Sequence, residues 1–244
     1  SLGPEVQAYL NDDCCWIDGG LVNENPKLIV HVSDPSGINT TGLGIGRELV
    51  AVIDGNTNAP IVLNQYFTEM VECIYNTNGI VDKFIGDAIM AHWGALYTDG
   101  NDTGNAIDAA LLMRQALINF NHDDEHSNRP KFRFGCGINT GEVVAGQIGS
   151  QKKLEYTVIG DAVNLASRIE YMNKEFGTDI LISEDSYQKV TGKYKVVAMP
   201  PIEIRGKSKP QQMYAVLGKE DDPNCPKSLK ELRQIVGIPF QEKQ

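Results

Sequence analysis

The stretch Leu154 to Tyr171 reads LEYTVIGDAVNLASRIEY, and the rest of the chain is best interpreted from it. Leu154–Ile159 is β-rich, Gly160 and Asp161 interrupt it, and Ala162, Leu165, Ala166, Ile169 and Met172 then recur at helical spacing. Those apolar residues mark the buried side of a helix. Asn164 and Arg168 stand four residues apart, so they project together from the opposite side. An amide beside a guanidinium suits a cluster of charged oxygens such as a triphosphate, because Arg offers a planar fork of donors and keeps its charge. The plain alternative is two surface residues on an ordinary amphipathic helix, and periodicity alone does not choose between them.

A chain of 244 residues forms one large domain or two small ones. With 41% hydrophobic and 22% charged residues it belongs with ordinary globular proteins rather than disordered or fibrous ones. The net charge of −10 argues against nucleic acid as a partner, since binding there relies on Lys and Arg neutralising phosphates. No apolar run reaches the length of a membrane span and the start lacks a signal-peptide pattern, so any anchor is expected outside this chain. Five cysteines, Cys14, Cys15, Cys73, Cys136 and Cys225, form no CxxC pair and no zinc spacing with His. Reduced thiols and a cytoplasmic location are the expectation.

From Val62 the spacing of Leu63, Tyr66, Phe67, Met70, Val71, Ile74 and Tyr75 predicts a helix ending at Asn76–Gly79. Strands are expected over Ile80–Ile85 and Ala88–Trp93, closing a hairpin with Asp87 at its tip. A long helix follows over Asp102–Asn121, with Ala106, Ala109, Leu112, Met113, Ala116 and Leu117 inward. A second hairpin is expected between Lys131–Ile138 and Glu142–Ile148, around Asn139–Gly141. Beyond the opening stretch come a strand over Asp179–Ile182, a short helix capped by Ser183, and strands over Tyr194–Met199, Ile202–Arg205 and Gln212–Leu217. This mixture predicts an α+β sheet covered by helices on one face. Residues 1–60 read instead as a small β-rich segment, with strands over Glu5–Leu10, Lys27–Val32 and Arg47–Ile53. The glycines of Gly42–Gly46 precede a strand and lack the GxGxxG spacing, which excludes a dinucleotide fingerprint. Residues 219–244 read as an extension, with a short helix in Pro226–Val236.

Three strings occur in order: VDKFIGDAIMA at Val81–Ala91, FRFGCGINTGEVVAGQIGS at Phe132–Ser150 and YTVIGDAVNLASR at Tyr156–Arg168. Together they resemble the catalytic domain of the class III adenylate and guanylate cyclases, over residues 64–218. The resemblance implies a ferredoxin-like core in a domain covering residues 61–218, conversion of ATP to cyclic AMP and pyrophosphate in signal transduction, and two divalent ions, Mg²⁺ or Mn²⁺. It also implies a head-to-tail homodimer in which metal carboxylates come from one subunit and the Asn–Arg pair from the other. By the same resemblance Asp87 is a metal ligand, Asn164 orients the ribose and Arg168 meets the phosphates. Lys83 and Thr157 fall where the family reads the base, and a Lys with a Thr or Asp goes with adenine there. Thr157 is the less decisive of the two, because a hydroxyl both donates and accepts. Either Arg205 or Lys207 stands where the family places a basic residue against the terminal phosphates.

The family's first metal carboxylate, in a motif like FxDIxGFT, is missing, because counting back from Asp87 places it near Leu43–Gly46, where no acid stands. Asp54, after LVAVI, is the nearest substitute by local context, and a turn aspartate is its plain alternative. A catalytically impaired nucleotide-binding or dimerisation module is therefore the alternative to an active enzyme. Ser33–Phe67 also resembles the β-sandwich region of gingipain-like, PorU-type cysteine peptidases of type IX secretion, but carries none of their catalytic residues.

Overall fold

The computed structural model describes residues 5–10, 28–33, 50–51, 61–122, 131–150, 153–203 and 209–239. The chain divides into two compact units, residues 1–49 and 50–244. In the first, β1 (Glu5–Leu10) pairs antiparallel with β2 (Leu28–Ser33). In the second, β3 (Val50–Ala51) and β4 (Ile61–Val62) pair briefly and lead into α1 (Leu63–Tyr75). Of the third expected N-terminal strand, Arg47–Ile53, Val50–Ala51 is the part that lies among the described residues. Most of the Ser33–Phe67 stretch that resembles the peptidase sandwich lies outside the described residues.

Helix α1 exists because Met70, Cys73 and Ile74 bury one side, Met70 and Ile74 almost completely. Each fully buried side chain of that size contributes about 1.5–3 kcal/mol. Tyr75, expected inside, is exposed. Strands β5 (Ile80–Ile85) and β6 (Ala88–His92) then form the predicted hairpin. Its two-residue loop, Gly86-Asp87, has a positive φ at the first position only (63°), the type II′ pattern that favours glycine there. Helix α2 (Asp102–His122) buries Ala106, Ala109 and Leu117 as expected, while Leu112 faces solvent and Arg114 is buried.

The second hairpin differs from expectation. Strand β7 (Cys136–Ile138) is short and pairs parallel with β10 (Ile180–Ser183), whereas β8 (Val144–Ser150) pairs antiparallel with β9 (Lys153–Ile159). Turn-forming residues at Asn139–Gly141 end β7 without folding it back. Instead Gly141 runs close to Ala162, and Asn139 Nδ2 donates to the Ala162 carbonyl at 3.0 Å, so this loop docks on α3 (Asp161–Phe176).

The main sheet has the order β11-β12-β10-β7, with β11 at Tyr194–Ala198 and β12 at Met213–Lys219. Helices cover both faces of it, not one. Ile180 and Ile182 of β10 pack with Ile107 and Ala110 of α2, while Leu181 packs with Leu165 and Ile169 of α3. A strand buried on both sides must be apolar at every position, as ILIS is until its serine. That serine, Ser183, caps α4 (Glu184–Lys189) by accepting from the Ser186 N–H. Beyond β12, α5 (Leu229–Val236) buries Leu232 against Leu217 and Cys225. Of the expected Ile202–Arg205 strand, one bridge, Ile202 to Gln211, lies among the described residues.

Two devices lock the layers. Arg114 donates to both carboxylate oxygens of Asp179 (2.6 and 2.9 Å) and to the carbonyls of Val216 (2.7 Å) and Leu217 (2.6 Å), tying α2 to the sheet. Gly137 lets α3 approach backbone to backbone, since a Cβ there would collide with the Glu170 nitrogen and the Ala166 oxygen.

Candidate active site

The candidate site is assembled on the two hairpins and the helix that leaves the second one. Strand β5 carries a bulge between Val81 and Lys83, so Asp82 has no partner on β6. A bulge leaves one residue unpaired and re-aims its side chain. The Asp82 side chain is fully buried and turned to β9: Thr157 Oγ1 donates to both its oxygens at 2.8 Å, and the Val158 N–H donates at 3.0 Å. Lys83 Nζ lies 3.2 Å from Glu155 and 3.4 Å from Asp82. Its hydrogen bond to Glu155, with the field of Asp82, raises the Lys83 pKa and keeps the ammonium charged. Lys83 and Thr157, separate in sequence, are therefore brought together by Asp82, a residue that sequence reasoning passed over. The signal for it was an acid beside the lysine on a strand.

At the end of β9, Gly160 turns the chain into α3 with φ 151°, a conformation that L side chains rarely adopt. The helix begins at once, which puts Asn164 and Arg168 one turn apart on its exposed face, shortly beyond Thr157. Leu165 and Ile169 on the buried face fix the helix's rotation.

Asp87 occupies the exposed tip of the β5-β6 hairpin. Its charge reaches two groups. Burial raises the pKa of Glu170 and Asp87 raises it further; burial first and then Asp87 and Cys136 do the same for Tyr66. Asp54, Arg205 and Lys207 lie outside the described residues. Among the described residues no group of three or more His, Cys, Asp or Glu could hold a metal ion. Cys73, Cys136 and Cys225 are free thiols; burial, with Asp179 and Glu170 nearby, pushes Cys136 up to about 12, so it is no nucleophile.

Residues 53–218 match the adenylate and guanylate cyclase catalytic domain family. The chain belongs to that family. It is 41% identical over 179 residues to an adenylate cyclase of Anabaena cylindrica, covering 65% of this chain and 34% of that protein. Adenylate cyclase 1 of Rhizobium meliloti is 32% identical over 173 residues, or 70% of this chain and 26% of its own length. The chain thus spans about a quarter to a third of these curated relatives. Among solved structures it resembles the guanylyl cyclase Cya2, with TM-score 0.60, 31% identity and coverage of 68% of this chain and 83% of that one. The adenylyl cyclase CyaB from P. aeruginosa gives TM-score 0.60 at 30% identity, covering 66% and 82%. These likenesses establish the α+β cyclase core. Among the described residues no helix of this cyclase domain is long and apolar enough to cross a membrane.

Proposed function

We propose that the chain is an adenylate cyclase domain, converting ATP to 3′,5′-cyclic AMP and pyrophosphate in signal transduction, at sites shared by two copies. The observation that carries this reading is the pairing of Lys83 with Thr157 around Asp82. An ammonium there donates to N1 of adenine and would oppose the N1–H of guanine. Two relatives named adenylate cyclase support the same choice.

In the reaction the ribose 3′-oxygen attacks the α-phosphorus. A P–O bond forms as the bond to the β-phosphate oxygen breaks, pyrophosphate leaves, and the hydroxyl proton passes to solvent. Asn164 holds the ribose so that its 3′-oxygen lies in line, and Arg168 draws off negative charge from the phosphates. Arg205 or Lys207 meets the terminal phosphates. Asp87, with Asp54 as second carboxylate, would hold the divalent ions; Asp54 falls within the matched span, which begins at residue 53. When bound, Mg²⁺ or Mn²⁺ supplies neutralisation of the triphosphate. The need for a second copy is supported by exposed apolar side chains around both halves of the site. Phe84 and Ile85 precede the Asp87 tip, and Val144, Leu154 and Ile159 lie on the β8-β9 hairpin. Apolar surface of this kind marks an interaction face.

Conversion of ATP against GTP, with Mg²⁺ or Mn²⁺, tests the reading. Cyclic AMP as the main product is expected, and preferred formation of cyclic GMP would overturn it. In Asp54→Asn the rate should fall at least tenfold; full activity would remove Asp54 from the metal site. The absent FxDIxGFT motif favours one other reading, a nucleotide-binding module without turnover, for which ATP binding with no product is the result.

A further inference from the structure

We propose that Asp82 is a positioning residue that fixes the polarity of Thr157 and thereby sets adenine over guanine. This rests on the reading of Lys83 and Thr157 as the pair that faces the base.

A free hydroxyl donates or accepts according to its neighbour, so Thr157 by itself discriminates little. Here its proton is committed. Both oxygens of the Asp82 carboxylate lie 2.8 Å from Thr157 Oγ1, and a carboxylate only accepts. What Thr157 can offer a third group is therefore a lone pair. Beside it, Lys83 offers only donors. A donor next to an acceptor complements the edge of adenine, where N1 accepts and the exocyclic amine donates. The same pair opposes guanine, where N1–H donates and O6 accepts.

Three further features show that this arrangement is held and not incidental. The bulge takes Asp82 out of the β5-β6 ladder. Its side chain is fully buried, and it also binds the Val158 N–H, so the carboxylate replaces backbone pairing between the two hairpins. Directly across the ladder from Thr157 stands Gly146, and a Cβ there would meet nothing within 4 Å. Residues opposite each other in an antiparallel pair share a face, so space remains beside Thr157 for a planar base.

The test is calorimetric binding of 2′,3′-dideoxy-ATP and 2′,3′-dideoxy-GTP with Mn²⁺ to the full chain. Both lack the attacking hydroxyl and bind without turnover. Wild type should prefer the adenine compound. In Asp82→Asn the amide can donate to Thr157 and release its rotor, and the preference should fall about tenfold. Thr157→Val, which leaves the bond from Val158 to Asp82 in place, should lose as much. Adding Asp82→Asn to Thr157→Val should then cost no further preference. The double variant Asp82→Asn with Thr157→Asp restores an acceptor and should recover selectivity, which a merely structural role would not predict. An unchanged preference in Asp82→Asn, or the same tenfold loss on top of Thr157→Val, would overturn the role of Asp82. A wild type that binds neither compound, or prefers guanine, would overturn the base-facing reading and the inference with it.

Discussion

Arg114 joins α2 to the sheet through a buried network of hydrogen bonds. Arg114 is 7% exposed, and its guanidinium has four acceptors within 2.9 Å, two of them on the buried Asp179. Truncating one member of a buried ion pair leaves the other charge uncompensated, at about 3–5 kcal/mol. Arg114→Ala should lose stability of that order in urea denaturation, and Arg114→Ala combined with Asp179→Ala should lose less than the sum. Glu170 makes a second prediction. Burial and the charge of Asp87 raise its pKa in the folded chain, so stability falls as pH rises from the unfolded carboxylate's pKa through that raised one. Glu170→Gln should therefore gain stability at neutral pH and none well below the unfolded carboxylate's pKa, as read from melting curves at the two pH values. In Asp87→Asn the Glu170 resonance should titrate at lower pH by NMR, and an unmoved titration would mean the two carboxyls are not neighbours. Lys83, Asp87, Asn164 and Arg168 were named through strings that resemble the cyclase family, since turn and helix spacing alone left each with a plain surface reading. The sequence hid Arg114 and Asp82, whose partners lie 65 and 75 residues away.

Two glycines separate what holds the elements together from what leaves room between them. At Gly137 a methyl group would strike the backbone of α3, and overpacking at such a contact costs roughly 1–3 kcal/mol or more. At Gly146 the same methyl meets open space. Gly137→Ala should lower the melting temperature by several degrees. Gly146→Val should leave melting nearly unchanged while abolishing nucleotide binding, because it fills the space beside Thr157. A Gly146→Val protein that binds ATP normally would place the base elsewhere. Elements with their own periodicity, such as α1, α2 and the β5-β6 hairpin, were legible within a residue or two, as was the start of α3. The pairing of β7 was not. Lys131–Ile138 and Glu142–Ile148 look like adjacent arms of a hairpin, but β7 takes β10 as a parallel neighbour across more than forty residues. Nothing local encodes such a partner. The second layer of helices, by contrast, had a local sign that the sequence reading did not use, the unbroken apolar run of β10.

At the scale of the molecule, the domain carries one copy each of an acidic hairpin tip and an amide-guanidinium helix face, surrounded by exposed apolar side chains. On the proposed reading, two such copies related head to tail would provide two identical sites built from complementary halves. Residues that act as halves of one site can be separated genetically. The most direct measurement is therefore cyclic AMP formation by Asp87→Ala and Arg168→Ala chains, each assayed alone and in an equal mixture. Each chain alone should be nearly inactive. After exchange, half of the dimers carry both variants, and each of these holds one site with both wild-type halves, so the mixture should recover about one quarter of wild-type activity. A mixture no more active than its components, while the chains demonstrably associate, would contradict a site shared between two copies.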